Sequence, residues 1–429
     1  MKVKSKLSKL EKSWILYDVG NSAFTLLVST LLPIYFNALA TAGGLNEDLY
    51  LSYWGYAGSI ATIVVAFIGP ICGTLSDRKG YKKPIFTLCV LLGVVGCACL
   101  GLAKGWLAFL AIFLIGKIGF HSSLVFYDSM LPEITTEDRI DNVSTQGYAW
   151  GYIGSVIPFV ICLVLVLAGE SFGLSMTTAM VLAFIITAVW WAVFTLPLLR
   201  RYQQTSYVER GEHPIADTFR QIGRTFRKAR EQKHIFVYLI AFFFFINGVY
   251  TIIDMATAYG SALGLDSTGL LLALLLTQIV AFPCAIIFGK LSAKHDTGML
   301  IKICIICYTA ITMFGMFLVS LWQFWMLAVM VGMFQGGVQA LSRSYLGKII
   351  PPERSGEFYG LMDICGKGAS FVGTTLVAVV SQATAGVKLS ILGITLQNEN
   401  LAVGSLIVLF IIGFVLFCKA DKLNRERNA

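Results

Sequence analysis

The chain has 429 residues, 57% hydrophobic and 13% charged, with a mean hydropathy of +0.76. So little polar surface could not cover so large an apolar core in water, which excludes a soluble globular protein and leaves an all-α polytopic membrane protein. The formal charge of +9 sits on Lys and Arg placed between apolar runs, where it orients a chain in a bilayer, so nucleic acid is not an expected partner.

Five lysines (Lys2, Lys4, Lys6, Lys9 and Lys12) precede the first apolar run, which is too long for a signal-peptide core and lacks a small-residue cleavage site. It is expected to stay as the first membrane helix. Runs of about 20 residues with few charges read as spanning helices. Twelve are found: 13–40, 50–76, 84–103, 106–130, 143–169, 175–199, 234–263, 266–291, 298–320, 322–350, 356–384 and 397–419. An even number puts both termini on one side. Because that side carries the basic residues, the positive-inside rule makes it cytoplasmic, in the cell membrane.

The first long run carries Asp18, Asn21, Thr25 and Ser29 at intervals of three and four, along one helical face. Charge in a bilayer core costs a few kcal/mol, so that face should look inward. The second and third runs are joined by the charged turn Gly73-Thr74-Leu75-Ser76-Asp77-Arg78-Lys79-Gly80. The fourth run holds Lys117, His121 and Asp128, four and seven apart, which suits either a short proton relay or a structural ion pair with an ordinary interior histidine.

Residues 200–233 form the one long polar connection and divide the chain into a six-helix bundle at 1–199, a cytoplasmic linker, and a second bundle at 234–429. Ile215, Phe219, Ile222 and Phe226 recur at helical spacing among arginines, as in a helix lying on an anionic membrane surface. The seventh run carries Asn247 and Asp254. The tenth carries Gln335, Gln339 and Arg343 at spacings of four, and the glutamine amides need partners in hydrocarbon. Asp363 and Lys367, in the eleventh, can neutralise one another at i, i+4 and read first as a structural pair.

The halves echo each other. Gly73-Thr74-Leu75-Ser76 returns as Gly289-Lys290-Leu291-Ser292, and Glu137-Asp138-Arg139 as Pro352-Glu353-Arg354, at nearly one offset, which implies duplication; Ala293 stands where Asp77 would be. The cysteines lie mostly inside apolar runs without metal-ligand spacing, and neither a metal site nor a structural disulfide is expected. No motif of a hydrolase or nucleotide-binding enzyme is present, so neither an enzyme nor a cofactor is expected.

In residue types and order the Asp77 turn resembles the signature loop of the major facilitator superfamily. Four further stretches sharpen the likeness: Tyr17-Asp18-Val19-Gly20-Asn21-Ser22-Ala23-Phe24, Leu131-Pro132-Glu133-Ile134, Gln335 to Ser344, and Glu353-Arg354-Ser355-Gly356-Glu357-Phe358-Tyr359-Gly360. Together they resemble the branch that includes the fungal vacuolar amino-acid effluxer. The resemblance implies two pseudo-symmetric six-helix bundles, alternating access and a small solute such as an amino acid. Three positions depart from the branch pattern: Asn247 where Asp is usual, Asp128 where Asn is usual, and Asp254 where a basic residue is common.

These readings converge on a secondary transporter of a small polar or zwitterionic solute, coupled to protons and acting as a monomer. Asp18, Asn21, Asn247, Asp254, Gln335 and Gln339 are expected to line the solute chamber, and His121, Asp128 and Lys117 to carry protons. Gly73, Asp77, Arg78, Lys79 and Gly80 are expected to form a gate against helix ends, whose dipoles favour an acid at the N-terminus. The alternatives are an exporter of several organic cations and a non-transporting sensor or scaffold.

Overall fold

A computed structural model describes residues 6–45, 47–209, 220–221, 232–384, 389–391, 394–396 and 398–428. The amphipathic linker helix expected over Ile215, Phe219, Ile222 and Phe226 falls almost wholly outside the described residues, as does the side chain of Lys367.

Local sequence sets where the helices begin. Helix α1 (Lys9–Ser29) starts from a capping box in which Ser8 accepts from the Glu11 amide and Glu11 accepts from the Ser8 amide. It bends by 41° into α2 (Leu31–Ala42), so the first span is a broken pair where a single helix was expected. Thr30, in neither helical nor extended backbone, marks the break. There follow α3 (Glu47–Ser76), α4 (Lys82–Cys99), α5 (Trp106–Ser129), the single turn α6 (Leu131–Ile134), α7 (Ile140–Ala168) and α8 (Met176–Arg201).

The second half runs α9 (Lys233–Ala262), α10 (Ser267–Leu291), α11 (Thr297–Met316), α12 (Leu321–Ile349) and α13 (Ser355–Ala383). A short hairpin of β1 (Leu389–Ile391) and β2 (Ile394–Leu396) pairs Leu389 with Leu396 and leads into α14 (Asn398–Gly404) and α15 (Leu406–Asn428). Asp266 caps α10, Asp296 caps α11, and Ser320 with Gln323 forms a capping box on α12.

Among the described residues ten helical stretches are long and apolar enough to span a bilayer, and α1 with α2 makes an eleventh. The twelfth is expected in α13, which carries Glu357, Asp363 and Lys367 in its first half and the apolar stretch Val372–Ala383 in its second. Side chains such as Phe67, Leu102, Leu107 and Leu167 are two-thirds or more exposed, as lipid-facing residues should be.

Two compact units result. The first holds residues 1–136, 150–222 and 351–360; the second holds 137–149, 223–350 and 361–429, so α7 and α13 contribute to both. Inside the first, α1 packs on α8, α3 on α5, and α4 on both α5 and α8. Inside the second, α9 packs on α15, α10 on α12, and α11 on both α12 and α15. Counted by span, these are the same pairings six helices on, so the duplication expected from two short sequence echoes extends to the helix packing.

Candidate functional site

In the first unit the turn after α3 ends in a buried polar knot. Asp77 is fully buried, and its Oδ1 and Oδ2 accept from the backbone N–H groups of Gly356 (2.7 Å) and Glu357 (2.9 Å) in the first turn of α13. A carboxylate there satisfies amides that the helix cannot pair itself and faces the positive end of its dipole. Gly73 and Gly356 make the approach possible: a Cβ on Gly73 would collide with the Gly356 carbonyl, and one on Gly356 would lie 2.8 Å from Asp77 Oδ1.

Lys82 joins this carboxylate to a second one. Its Nζ lies 3.7 Å from Asp77 Oδ1 and 2.6 Å from Glu133 Oε1, and it donates to Ser355 Oγ at 2.8 Å; the Lys82 and Glu133 side chains are both fully buried. Glu133 Oε2 accepts from the Tyr202 hydroxyl (3.1 Å) and the Thr205 amide (3.0 Å). Burial, with Glu133 and Asp77 beside it, pushes the Tyr202 phenol up, so it stays a donor. Burial also pushes the Asp77 carboxyl up to about 7, against the pull of Lys82 and of the two N–H donors.

The other turn residues have different roles. Gly80 takes a positive φ of 80° that a side chain would strain, and its amide donates to Gln204 Oε1 at 2.9 Å. Arg78 is buried and donates to the Glu209 carbonyl at 3.4 Å. Lys79 lies outermost, 3.4 Å from Glu209 with both side chains more than half exposed.

The inward face of α1 is also in this unit. Asp18 and Asn21 are buried, with Asn21 Nδ2 donating to the Tyr17 carbonyl (3.0 Å) and reaching Asp18 Oδ1 at 3.5 Å. Thr25 and Ser29, on the same stripe, are exposed. Tyr17 hydrogen-bonds Ser123 at 2.6 Å, and Trp14 stacks on Tyr127 while donating to its carbonyl, which fixes α1 against α5. Lys117, His121 and Asp128 lie half-buried on α5, and Lys117 Nζ approaches Gly58 on α3.

In the second unit Asn247 is fully buried, its Oδ1 accepting from Thr251 at 3.3 Å and its Nδ2 without a partner among the described residues. Gln335 is buried, Gln339 and Asp363 half-buried, and Asp254 exposed. Arg343, four residues beyond Gln339 on α12, is buried, donates to Ser144 Oγ (3.0 Å) and to the Ser144 carbonyl (2.9 Å), and lies over the Tyr148 ring.

This unit has its own buried knot. Asp141 in the first turn of α7 lies 2.6 Å from Lys348 Nζ and accepts from Thr297 (2.6 Å) and Ser344 (2.6 Å). The turn after α10 lacks an acid at Ala293; here the acid stands on the helix and the base on α12. Lys82, Glu133, Asp141 and Lys348 escaped the sequence reading of function. Each is one charge among those at the helix ends, and nothing local marks which of these charges is buried and paired.

Structures of the major facilitator superfamily share this architecture. The human organic anion transporter MFSD10 (TETRAN) matches with a TM-score of 0.68 over 95% of this chain and 98% of that one at 16% identity. The proton:xylose symporter XylE matches at 0.69 over 96% and 94%, at 13% identity. The fold is that of a twelve-helix major facilitator, and the chain is a multi-pass membrane transporter of that type. By sequence it belongs to the family described as "Vacuole effluxer Atg22 like", matched over residues 47–429. It is 38% identical to the uncharacterized MFS-type transporter YxiO of Bacillus subtilis across 96% of this chain and 94% of that protein. Autophagy-related protein 22-1 of Aspergillus fumigatus is 23% identical across 56% of this chain, which spans 43% of the fungal protein.

Proposed function

We propose that this protein moves a small polar or zwitterionic solute of the amino-acid class across the cell membrane by alternating access, coupled to protons, with both termini cytoplasmic. The observation that carries the reading is the set of buried polar groups on the first helix of each half. Asp18 and Asn21 on α1, and Asn247 on α9, stand inside apolar bundles where every such group must find a partner. In the first half Asp18 suits a solute ammonium and the Asn21 amide a carboxylate; in the second, Asn247, Gln335, Gln339 and Asp254 are the polar groups assigned to the solute. His121, Asp128 and Lys117 serve as the proton path. The family description "Vacuole effluxer" supports export of a solute.

The gate is the Asp77 turn. Asp77 holds the first turn of α13 through two amide bonds, and Gly73 and Gly80 allow the backbone to close on it. Arg78 and Lys79 tie the turn to residues 208 and 209. Releasing those two bonds frees the start of α13 in each cycle. A monomer in lipid suffices, and no cofactor is needed.

Flux in proteoliposomes tests the assignment. With a panel of radiolabelled amino acids and an imposed pH gradient, at least one substrate should accumulate, and Asp18→Asn and Asn247→Leu should each cut its rate by about tenfold or more, as expected for loss of one charge-assisted contact. Full flux and unchanged pH dependence in both variants would remove these residues from the solute site.

A further inference from the structure

The second unit contains a cavity of about 280 Å³ between α9, α11, α13 and α14. Its walls are chiefly apolar, formed by Ile252, Met255, Ile311, Leu327 and Val403, and they merge with the core cluster around Tyr259 and Phe324. One acid lines it. Glu399, in the first turn of α14, has its Oε2 buried with no hydrogen-bond partner among the described residues.

The hydroxyl groups of the wall do not meet that need, because several are engaged elsewhere. Tyr259 donates to the Gly315 carbonyl at 2.8 Å and accepts from Asn400 Nδ2 at 2.9 Å. Thr312 donates to the Tyr308 carbonyl at 2.8 Å, and Thr251 to Asn247 Oδ1 at 3.3 Å. A buried carboxylate oxygen without a donor is costly, so whatever enters the cavity gains by bringing a proton donor and positive charge together. The apolar walls add that the rest of the occupant should be hydrocarbon. A metal ion does not fit this chemistry: no group of three or more His, Cys, Asp or Glu able to hold one comes together among the described residues.

We infer that this cavity binds a small organic ammonium ion with an apolar body, whose N–H donates to the Glu399 carboxylate while its hydrocarbon lies among Ile252, Ile311 and Leu327. The volume lies near the lower end of the roughly 300–1,000 Å³ usual for small-molecule sites. That favours a single-ring or branched alkylamine over a larger multi-ring cation. The site lies within one unit and requires no transport step, so it stands or falls apart from the solute chamber proposed above.

The test compares cyclohexylammonium with cyclohexanol, which has the same ring without the charge, by thermal melting and titration calorimetry of the full chain in detergent. The amine should stabilise the protein saturably and bind about tenfold or more tightly than the alcohol, the expected worth of one charge-assisted hydrogen bond. Glu399→Gln should erase that preference. Ala378→Phe, which fills the cavity from α13 and leaves the Glu399 residue itself unaltered, should abolish binding of both compounds and serves if Glu399→Gln fails to fold. Equal binding of alcohol and amine to the unaltered protein, or amine binding undiminished in Ala378→Phe, would overturn the proposal.

Discussion

Lys82 shows how much one buried cation can organise. It faces Asp77, Glu133 and Ser355 at once from a fully buried position, and two desolvated charges hold together only when their remaining hydrogen bonds are filled. Glu133→Ala would strand Lys82 and also the Tyr202 hydroxyl and the Thr205 amide. We expect it to cost about 3–5 kcal/mol, read as a large fall in melting temperature in detergent, with much of the loss recovered in the double variant Lys82→Met, Glu133→Leu. Glu209→Ala, which breaks an exposed pair with Lys79, should leave the melting temperature close to that of the unaltered protein, because solvent screens such a pair. Equal effects from the two single variants would mean that the buried knot is solvated.

Asp77 makes a separate prediction about pH. In the fold its carboxyl titrates at about 7 because burial outweighs Lys82 and the two amide donors, whereas its ordinary value is 3.8. Between those values the folded protein keeps a proton that the unfolded chain has released, so this group's contribution to stability falls as pH rises from about 4 to about 7, then levels off. The groups facing it are Lys82 and Glu357, with Glu133 behind the lysine and Arg354 2.7 Å from Glu357. Melting temperatures at pH 5 and pH 8 should show the native protein losing ground against Asp77→Asn as pH rises. A constant gap between the two would mean the carboxylate is open to water.

At the scale of elements, α4 and α5 meet through small residues. A Cβ on Gly96 would lie 2.6 Å from the Gly116 Cα, and one on Gly119 would lie 2.8 Å from the Cys89 carbonyl. In lipid no hydrophobic force drives helices together, so close backbone approach is what holds such a pair. Gly119→Val should therefore force the helices apart and lower folded yield sharply by size-exclusion chromatography, whereas Gly105→Ala, in extended backbone with open space around it, should behave as wild type. Helix existence and length were legible in the chain because apolar length is a local property, and the expected ends differ from the observed ones by a few residues at most helices. The break at Thr30 does have a local cause that the span reading passed over: Pro33 has no N–H to donate to the Ser29 carbonyl, so the helical ladder is interrupted where α1 ends. Of α13, which reads as one span, only the start as far as Gly360 belongs to the first unit, where it meets Asp77.

For the whole molecule, the family match and the fold agree on a membrane transporter, and the basic residues predict which way it is inserted. Epitope tags fused to the two termini should both resist protease in right-side-out vesicles and both be cut in inside-out ones; opposite behaviour of the two tags would break the even count of spans. The duplication, inferred from two short echoes, reappears as repeated helix packing in each unit. What the repeat does not preserve is the placing of charge: the first unit holds its acid on the turn at Asp77, the second on the helix at Asp141.

The chain alone therefore determined that this is a twelve-span membrane protein, because span length, charge between spans and cap residues each act over a few neighbouring residues. Which polar groups meet was decided only by tertiary structure. Lys82 reaches Glu133 51 residues away, and Asp141 reaches Lys348 207 away, and a charge at a helix end has no local feature naming its partner. The polar stripes at Asp18 and Asn247 were visible as spacing, but their burial, and the uncompensated oxygen of Glu399, follow from how neighbouring helices close around them.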